Sequence, residues 1–196
     1  MANIIGIDEA GKGPLAGPVA VGVVKINSKF DQKFFKGIKD SKKLSEKSRD
    51  EWFKKLEIEK KNGGIDFAVS LISEKIIDKD GISFAIKLGI KKCLDKLKAS
   101  TKDQIYLDGG LKASLEFKNQ ETIIKGDEKI ALISLASIAA KVTRDKYMKS
   151  LGRKFSNYGF EKHKGYGTKD HIEKIQKYGL TEAHRRSYLR NILNMS

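Results

Sequence analysis

The chain predicts an α/β fold: a five-stranded mixed sheet flanked by helices, with a small helical segment after it. Three observations lead there. Five short apolar runs have strand character, the first two adjacent and the rest interleaved with helix-period segments, the order expected of a mixed sheet covered by helices. Long stretches at 45–60, 82–98 and 128–150 place apolar residues three and four apart, the stripe of a helix packed on a core. Beyond Gly152 the composition turns basic and aromatic, with one short helical pattern near 169–178. The expected division is therefore a domain over 1–150 and a basic helical segment over 151–196.

The elements follow in order. Strands are expected at 3–8 and 16–25, and their short glycine-rich connection favours an antiparallel hairpin. A lysine-rich loop ends in Lys39-Asp40-Ser41-Lys42-Lys43-Leu44, and Ser45 opens a helix to about residue 60. Gly63-Gly64 breaks the chain before a strand at 65–72. A short helix from Ser73 precedes a longer one over 82–98, with Ile82, Ala85, Ile86, Gly89, Ile90 and Cys93 on its apolar side. The strand at 104–107 delivers Asp108 to its C-terminal end, before Gly109-Gly110. The strand at 121–124 leads into Lys125-Gly126-Asp127. The helix from about 128 to 150 carries Ala131, Leu135, Ala136, Ile138, Ala139 and Val142 and is expected to be central and buried.

With 196 residues, 39% hydrophobic and 33% charged, the composition is that of a globular chain with a real core. No stretch approaches the roughly 20 apolar residues of a membrane span. The chain starts directly in a strand without a leader pattern, and its single cysteine, Cys93, forms no internal disulfide, so a cytoplasmic setting is expected. Forty Lys and Arg against 25 Asp and Glu give a net charge of +15, which points to a polyanionic partner. No basic amphipathic helix with an aromatic face is present, which argues against a membrane surface.

The segment Gly6-Ile7-Asp8-Glu9-Ala10-Gly11-Lys12-Gly13-Pro14-Leu15-Ala16-Gly17-Pro18 sets two carboxylates at a strand end beside glycines and a lysine. Carboxylates suit hard divalent cations, and glycines admit backbone N–H groups close to a phosphate or sugar. Gly6-x-x-x-x-Gly11-Lys12 also resembles most of a P-loop, but Gly13 stands where that motif needs a hydroxyl, and Asp8 and Glu9 would repel phosphates inside the cradle.

Asp8, Glu9, Asp108 and Asp127 each fall at or just past an expected strand end, where ligands of α/β sheets gather. Asp8 and Glu9 share a site only if the strand bends between them, because strand neighbours point to opposite faces. Four clustered carboxylates need cations to stay ionised together. Asp127 reads equally as an N-cap of the long helix or as a ligand. Asp145, about five turns further on, lies too far along the axis to join it and is expected to pair with Arg144.

The blocks GIDEAGKGPLAGPVAVGVV at 6–24, DSKKLSEKSRDE at 40–51, LDGG at 107–110, KGDEKIALISLASIAAKVTRDKYM at 125–148 and HKGYGTKDHIEKIQKYGLTEAHRRSY at 163–188 together resemble ribonuclease HII over nearly the whole chain. The resemblance implies a ribonuclease H-like fold. It also implies hydrolysis of the RNA strand of RNA–DNA hybrids and incision 5′ of single ribonucleotides in duplex DNA, leaving 3′-hydroxyl and 5′-phosphate ends. It makes Asp8, Glu9, Asp108 and Asp127 the catalytic carboxylates and ligands of Mg²⁺ or Mn²⁺, with two ions expected when substrate is bound.

Bacterial members carry Gly-Arg-Gly where this chain has Gly11-Lys12-Gly13, as archaeal members do. The family uses that segment to recognise a 2′-hydroxyl through backbone atoms, while a lysine offers only a point charge to any phosphate. Tyr166 matches the residue that packs on the sugar beside the ribonucleotide. Lysines of the 36–43 loop, including Lys42 and Lys43, together with Lys162, Lys164, Lys169, Arg185 and Arg186, are candidate phosphate contacts.

His163, His171 and His184 match no zinc spacing, and His184-Arg185-Arg186 reads as a phosphate-facing or capping cluster. Ribonuclease HIII is the nearest confusable relative, set apart by an additional N-terminal domain. A non-catalytic basic nucleic-acid binder is the rival from another class. A monomer is expected. A sliding-clamp partner finds no support in the tail, where Leu189-Arg190-Asn191-Ile192-Leu193 lacks paired aromatics.

Overall fold

A computed structural model describes residues 2–38 and 44–193, the side chains of 190–193 excepted. Its sheet is built from β1 (Asn3–Ala10), β2 (Val19–Asn27), β3 (Ile65–Ile72), β4 (Gln104–Asp108) and β5 (Gln120–Ile123), in the spatial order β3-β2-β1-β4-β5. The β1–β2 and β2–β3 pairs are antiparallel, whereas β4 joins β1, and β5 joins β4, in parallel. The sheet is thus mixed, with β1 at its centre. In that register Ile7 stands opposite Leu107, so Asp8 and Asp108 emerge side by side.

Alternation along β1 and β2 sorts side chains onto two layers. Ile5, Ile7, Val19, Val21 and Val23 enter a core formed with α2 (Glu74–Asp80) and α3 (Ile82–Lys96). The opposite face meets α1 (Glu46–Lys61), the short α4 (Gly126–Lys129) and the long α5 (Ala131–Lys154). Helix α5 lies directly against the sheet because Gly22 leaves room for it. A Cβ built there would sit 2.2 Å from the Ala136 carbonyl oxygen. Small residues on both sides therefore set the helix-to-sheet distance, and any side chain at position 22 would force the layers apart.

A third core forms where α6 (Phe160–His163), α7 (Lys169–Tyr178) and α8 (Arg186–Leu193) gather at the far end of α5. Met148, Tyr158, Phe160, Ile175, Ala183 and Leu189 enclose Ala16 from the glycine-rich connection. That contact changes the expected hairpin. The ladder stops at Ala10 opposite Ala20, and residues 11–18 leave the sheet. Ala16 instead bridges to His184 in antiparallel fashion. The second strand accordingly begins at Val19 and not at 16, since Gly17 has φ +81° and Pro18 has no N–H to give a ladder.

Helix α1 starts where expected, with the Ser45 hydroxyl accepting from the Ser48 N–H. The expected single helix over 128–150 is instead two helices separated by an extended Ile130.

Candidate active site

Asp8 is almost fully buried on the α5 side of β1. Its Oδ1 accepts the Glu9 N–H at 2.7 Å, and the Ser137 hydroxyl of α5 donates to the same carboxylate. Burial raises the Asp8 pKa well above its ordinary value, and the neighbouring charges of Glu9 and Asp108 raise it further. The expected bend between Asp8 and Glu9 is absent, because β1 stays paired through Ala10. The two carboxylates therefore leave opposite faces of one regular strand, and the site forms across the strand end.

Asp108 closes β4 and is half-buried. Its Oδ1 accepts the Gly126 N–H at 2.6 Å, which ties the β5–α4 turn to the end of β4. Asp127 follows directly and is 2% exposed. Of the two sequence readings for Asp127, the capping one is excluded. Lys125, in the left-handed region, holds the N-cap position, and Asp127 sits within α4. The chain could form this turn because Gly126 tolerates close packing against Ile133 and Asp108.

Beside these acids lies a cleft of about 390 Å³ lined by Glu9, Gly11, Lys12, Gly13, Arg49, Ser137, Lys141 and Tyr166. The glycine connection and the HKGYG loop are joined behind it, with the Leu15 N–H donating to the Gly165 carbonyl at 2.8 Å. Tyr166 is 47% exposed at the rim. Lys12 and Gly13 are exposed as well. Because residues 6–10 are strand, no phosphate-cradling loop runs from Gly6 to Lys12, and the P-loop reading fails on geometry.

The residues present fit divalent cations. Glu9 Oε2 is buried without a hydrogen-bond donor, and Asp8 is a desolvated carboxyl beside two other acids. Among the described residues, no three His, Cys, Asp or Glu side chains form a closed cage for an ion. This suits hard cations that take one or two carboxylates and leave further positions to water and substrate phosphate.

Several expected contacts lie elsewhere. Arg185 is fully buried, and its guanidinium donates to the carbonyls of Gly17, Lys12 and Gly11 at 2.8, 2.9 and 2.7 Å. It has no face for a phosphate. His184 is buried too, at 3.2 Å from His171 Nε2 through its own Nε2, and does not face solvent. Arg186 is exposed, with its backbone N–H held by Asp78. Lys164 is half-buried and turns its ammonium onto the Glu161 carbonyl. Lys42 and Lys43 lie outside the described residues.

Asp145 pairs with Lys141 at 2.9 Å and not with Arg144, whose guanidinium reaches backbone carbonyls instead. Sequence reading passed over Ser137 and Lys141 as parts of an apolar helix and gave Arg144 only an ion pair with Asp145. Their spacing of four and three residues was the available signal, since it puts all three along one side of α5.

The model of the ribonuclease HII family matches residues 5–191. The chain belongs to the ribonuclease HII family. A ribonuclease HII of Caldicellulosiruptor bescii is 46% identical over 192 residues, spanning 98% of this chain and 89% of the relative. The crystal structure of ribonuclease H2 from Pyrococcus horikoshii aligns with TM-score 0.76 at 29% identity and covers 98% of both chains. The ribonuclease HII of Archaeoglobus fulgidus, solved as a complex with PCNA, aligns with TM-score 0.72 at 26% identity over 92% of each chain.

The ribonuclease H-like fold expected from the sequence is thereby established, and the chain is an endoribonuclease of this family. Ribonuclease H activity on RNA–DNA hybrids, supported by metal ions, is the family's chemistry. No helix among the described residues is long and apolar enough to cross a membrane.

Proposed function

We propose that this ribonuclease HII cuts 5′ of single ribonucleotides embedded in duplex DNA, as well as within RNA–DNA hybrids. In this reading Asp8, Glu9, Asp108 and Asp127 hold two Mg²⁺ or Mn²⁺ ions. The observation that carries it is the buried Asp8 carboxyl, which burial and the charges of Glu9 and Asp108 push toward protonation. A site so costly to ionise has its natural use in binding cations. When bound, two such ions would supply Lewis acidity and a water-derived nucleophile for in-line displacement at phosphorus.

The protein side chains do the rest. Ser137 and the Glu9 N–H fix the rotamer of Asp8, and the Gly126 N–H fixes that of Asp108, so little reorganisation accompanies substrate binding. Gly11, Lys12 and Gly13 line the wall where a sugar edge would lie, and their backbone N–H groups can read a 2′-hydroxyl. Tyr166 at the rim offers a flat apolar face to the neighbouring sugar. The 2′-hydroxyl is a recognition handle in this scheme and the 3′ oxygen is the leaving group.

The test is cleavage of a DNA duplex containing one ribonucleotide, in Mg²⁺, Mn²⁺ or EDTA, with Asp8→Asn as control. A single metal-dependent cut on the 5′ side, lost by more than about 10³-fold in the variant, is expected. Cutting confined to long hybrids would remove the ribonucleotide-junction part of the proposal. Substantial turnover by Asp8→Asn at saturating metal would remove the role given to Asp8.

A further inference from the structure

Two buried arginines stand directly behind the cleft wall, and neither is ion-paired among the described residues. Arg144 is 1% exposed and Arg185 0%. Six hydrogen bonds from their guanidiniums go to backbone carbonyls, and Arg185 also meets the Tyr188 hydroxyl. Arg185 takes Gly11, Lys12 and Gly17. Arg144 takes Pro18 at 2.9 Å, Ala16 at 3.2 Å and Lys164 at 3.0 Å. Two desolvated cations so close together are costly: burial lowers the pKa of both, and the charge of Arg185 lowers Arg144 further, to about 10. Both nevertheless remain charged at neutral pH.

The direction of those carbonyls matters. A guanidinium offers five donors in a fixed plane and no acceptor, so it can draw several carbonyls to one side. All peptide bonds described are trans. In a trans peptide the C=O of one residue and the N–H of the next point opposite ways. With the Gly11 and Lys12 carbonyls held inward, the N–H groups of Lys12 and Gly13 face away from Arg185. Both residues line the cleft that Tyr166 also lines. The Tyr188 hydroxyl adds a further inward donor to the Lys12 carbonyl at 3.1 Å.

Arg144 extends the device to the second loop. It holds Ala16 and Pro18 from the glycine connection and Lys164, two residues before Tyr166. Gly11 is shaped to this partner. Its φ is +86°, and a Cβ there would lie 2.0 Å from Arg144 Nε.

We propose that Arg144 and Arg185 are positioning residues for ribonucleotide recognition, orienting the Lys12 and Gly13 N–H groups toward a 2′-hydroxyl and fixing Tyr166 at a set distance from them. The proposal rests on the ribonucleotide reading given above. A purely structural role would predict loss of stability without loss of preference between ribose and deoxyribose.

The experiment compares binding, in an Asp8→Asn background with Mg²⁺, to two otherwise identical DNA duplexes, one of which contains a single ribonucleotide. The parent is expected to prefer the ribonucleotide duplex. Arg144→Lys and Arg185→Lys keep the charge but lose the planar fork. Each is expected to reduce that preference by about tenfold while all-DNA affinity stays within about twofold, a loss of about 1.4 kcal/mol confined to the ribose contact.

Tyr188→Phe, which removes one inward donor to the Lys12 carbonyl while keeping both arginines and the ring over Arg185, should reduce the preference by about threefold. Arginine variants that melt cooperatively and keep the parental preference would overturn the proposal. If those variants do not fold, Tyr188→Phe decides it, and an unchanged preference there overturns it. Equal affinity of the parent for both duplexes would instead overturn the ribonucleotide reading, and this role with it.

Discussion

Asp8 shows how one residue trades stability for chemistry. Its ionised form is penalised first by burial and then by Glu9 and Asp108, while Ser137 and the Glu9 N–H offset only part of this. A carboxyl whose pKa is raised by folding destabilises the native state at pH above both values, and the penalty vanishes below the unfolded pKa of about 3.9. Asp8→Asn is therefore expected to raise the melting temperature at pH 7 in metal-free buffer, by about 2–4 °C for each kcal/mol relieved. Near pH 3 the two proteins should melt together. Mn²⁺ should stabilise the parent more than the variant. A variant that melts lower than its parent at pH 7 would refute this account of the site. Asp8, Glu9 and Asp108 stood out in the sequence because acids beside strand ends and glycines have little else to do. Arg185 did not, because nothing in a run of basic residues tells which one is buried.

The C-terminal helices carry a proton-ordered histidine relay that no spacing rule marks. His184 Nδ1 accepts the Thr181 N–H at 2.9 Å, which leaves its Nε2 to donate to His171 Nε2. His171 Nδ1 then donates to the Tyr166 carbonyl at 2.9 Å. Both rings must be neutral, since protonating both would set two donors face to face. Burial lowers each pKa to about 4, with His163 adding to the effect. Because the folded value lies below the unfolded one of about 6.5, the stabilisation is complete above pH 6.5 and is lost as pH falls toward 4. Melting temperature should drop through that window, and His184→Gln should lower it at pH 7 while flattening the drop. An equally steep profile in the variant would exclude the relay as its cause. The periodicity of α7 was legible at 169–178, matching Lys169–Tyr178. The break at Ile130 was not, because it follows from the tertiary bond between the Gly126 N–H and Asp108.

Across the whole molecule, the sheet order follows from chemistry the sequence displayed in pieces. Apolar runs and helical periods defined five strands and the helices around them. The parallel pairing of β1 with β4, which brings Asp8 beside Asp108, depends on contacts a hundred residues apart that no local pattern carries. The net charge of +15 acts at this same scale. Counterion release makes duplex affinity fall with salt by a slope of about 0.9 per phosphate contact. Lys162, Lys169 and Arg186 are exposed on the C-terminal segment that carries Tyr166, whereas Arg185 is sealed inside and contributes only a field. Replacing those three by Gln should reduce the slope of log K against log salt by up to about 2.7 and weaken all duplexes alike. Arg185→Lys should leave the slope near its parental value, because the buried cation releases no counterion. A slope unchanged by the triple replacement would refute this phosphate track and shift the assignment to the cations that line the cleft itself, Lys12, Arg49 and Lys141.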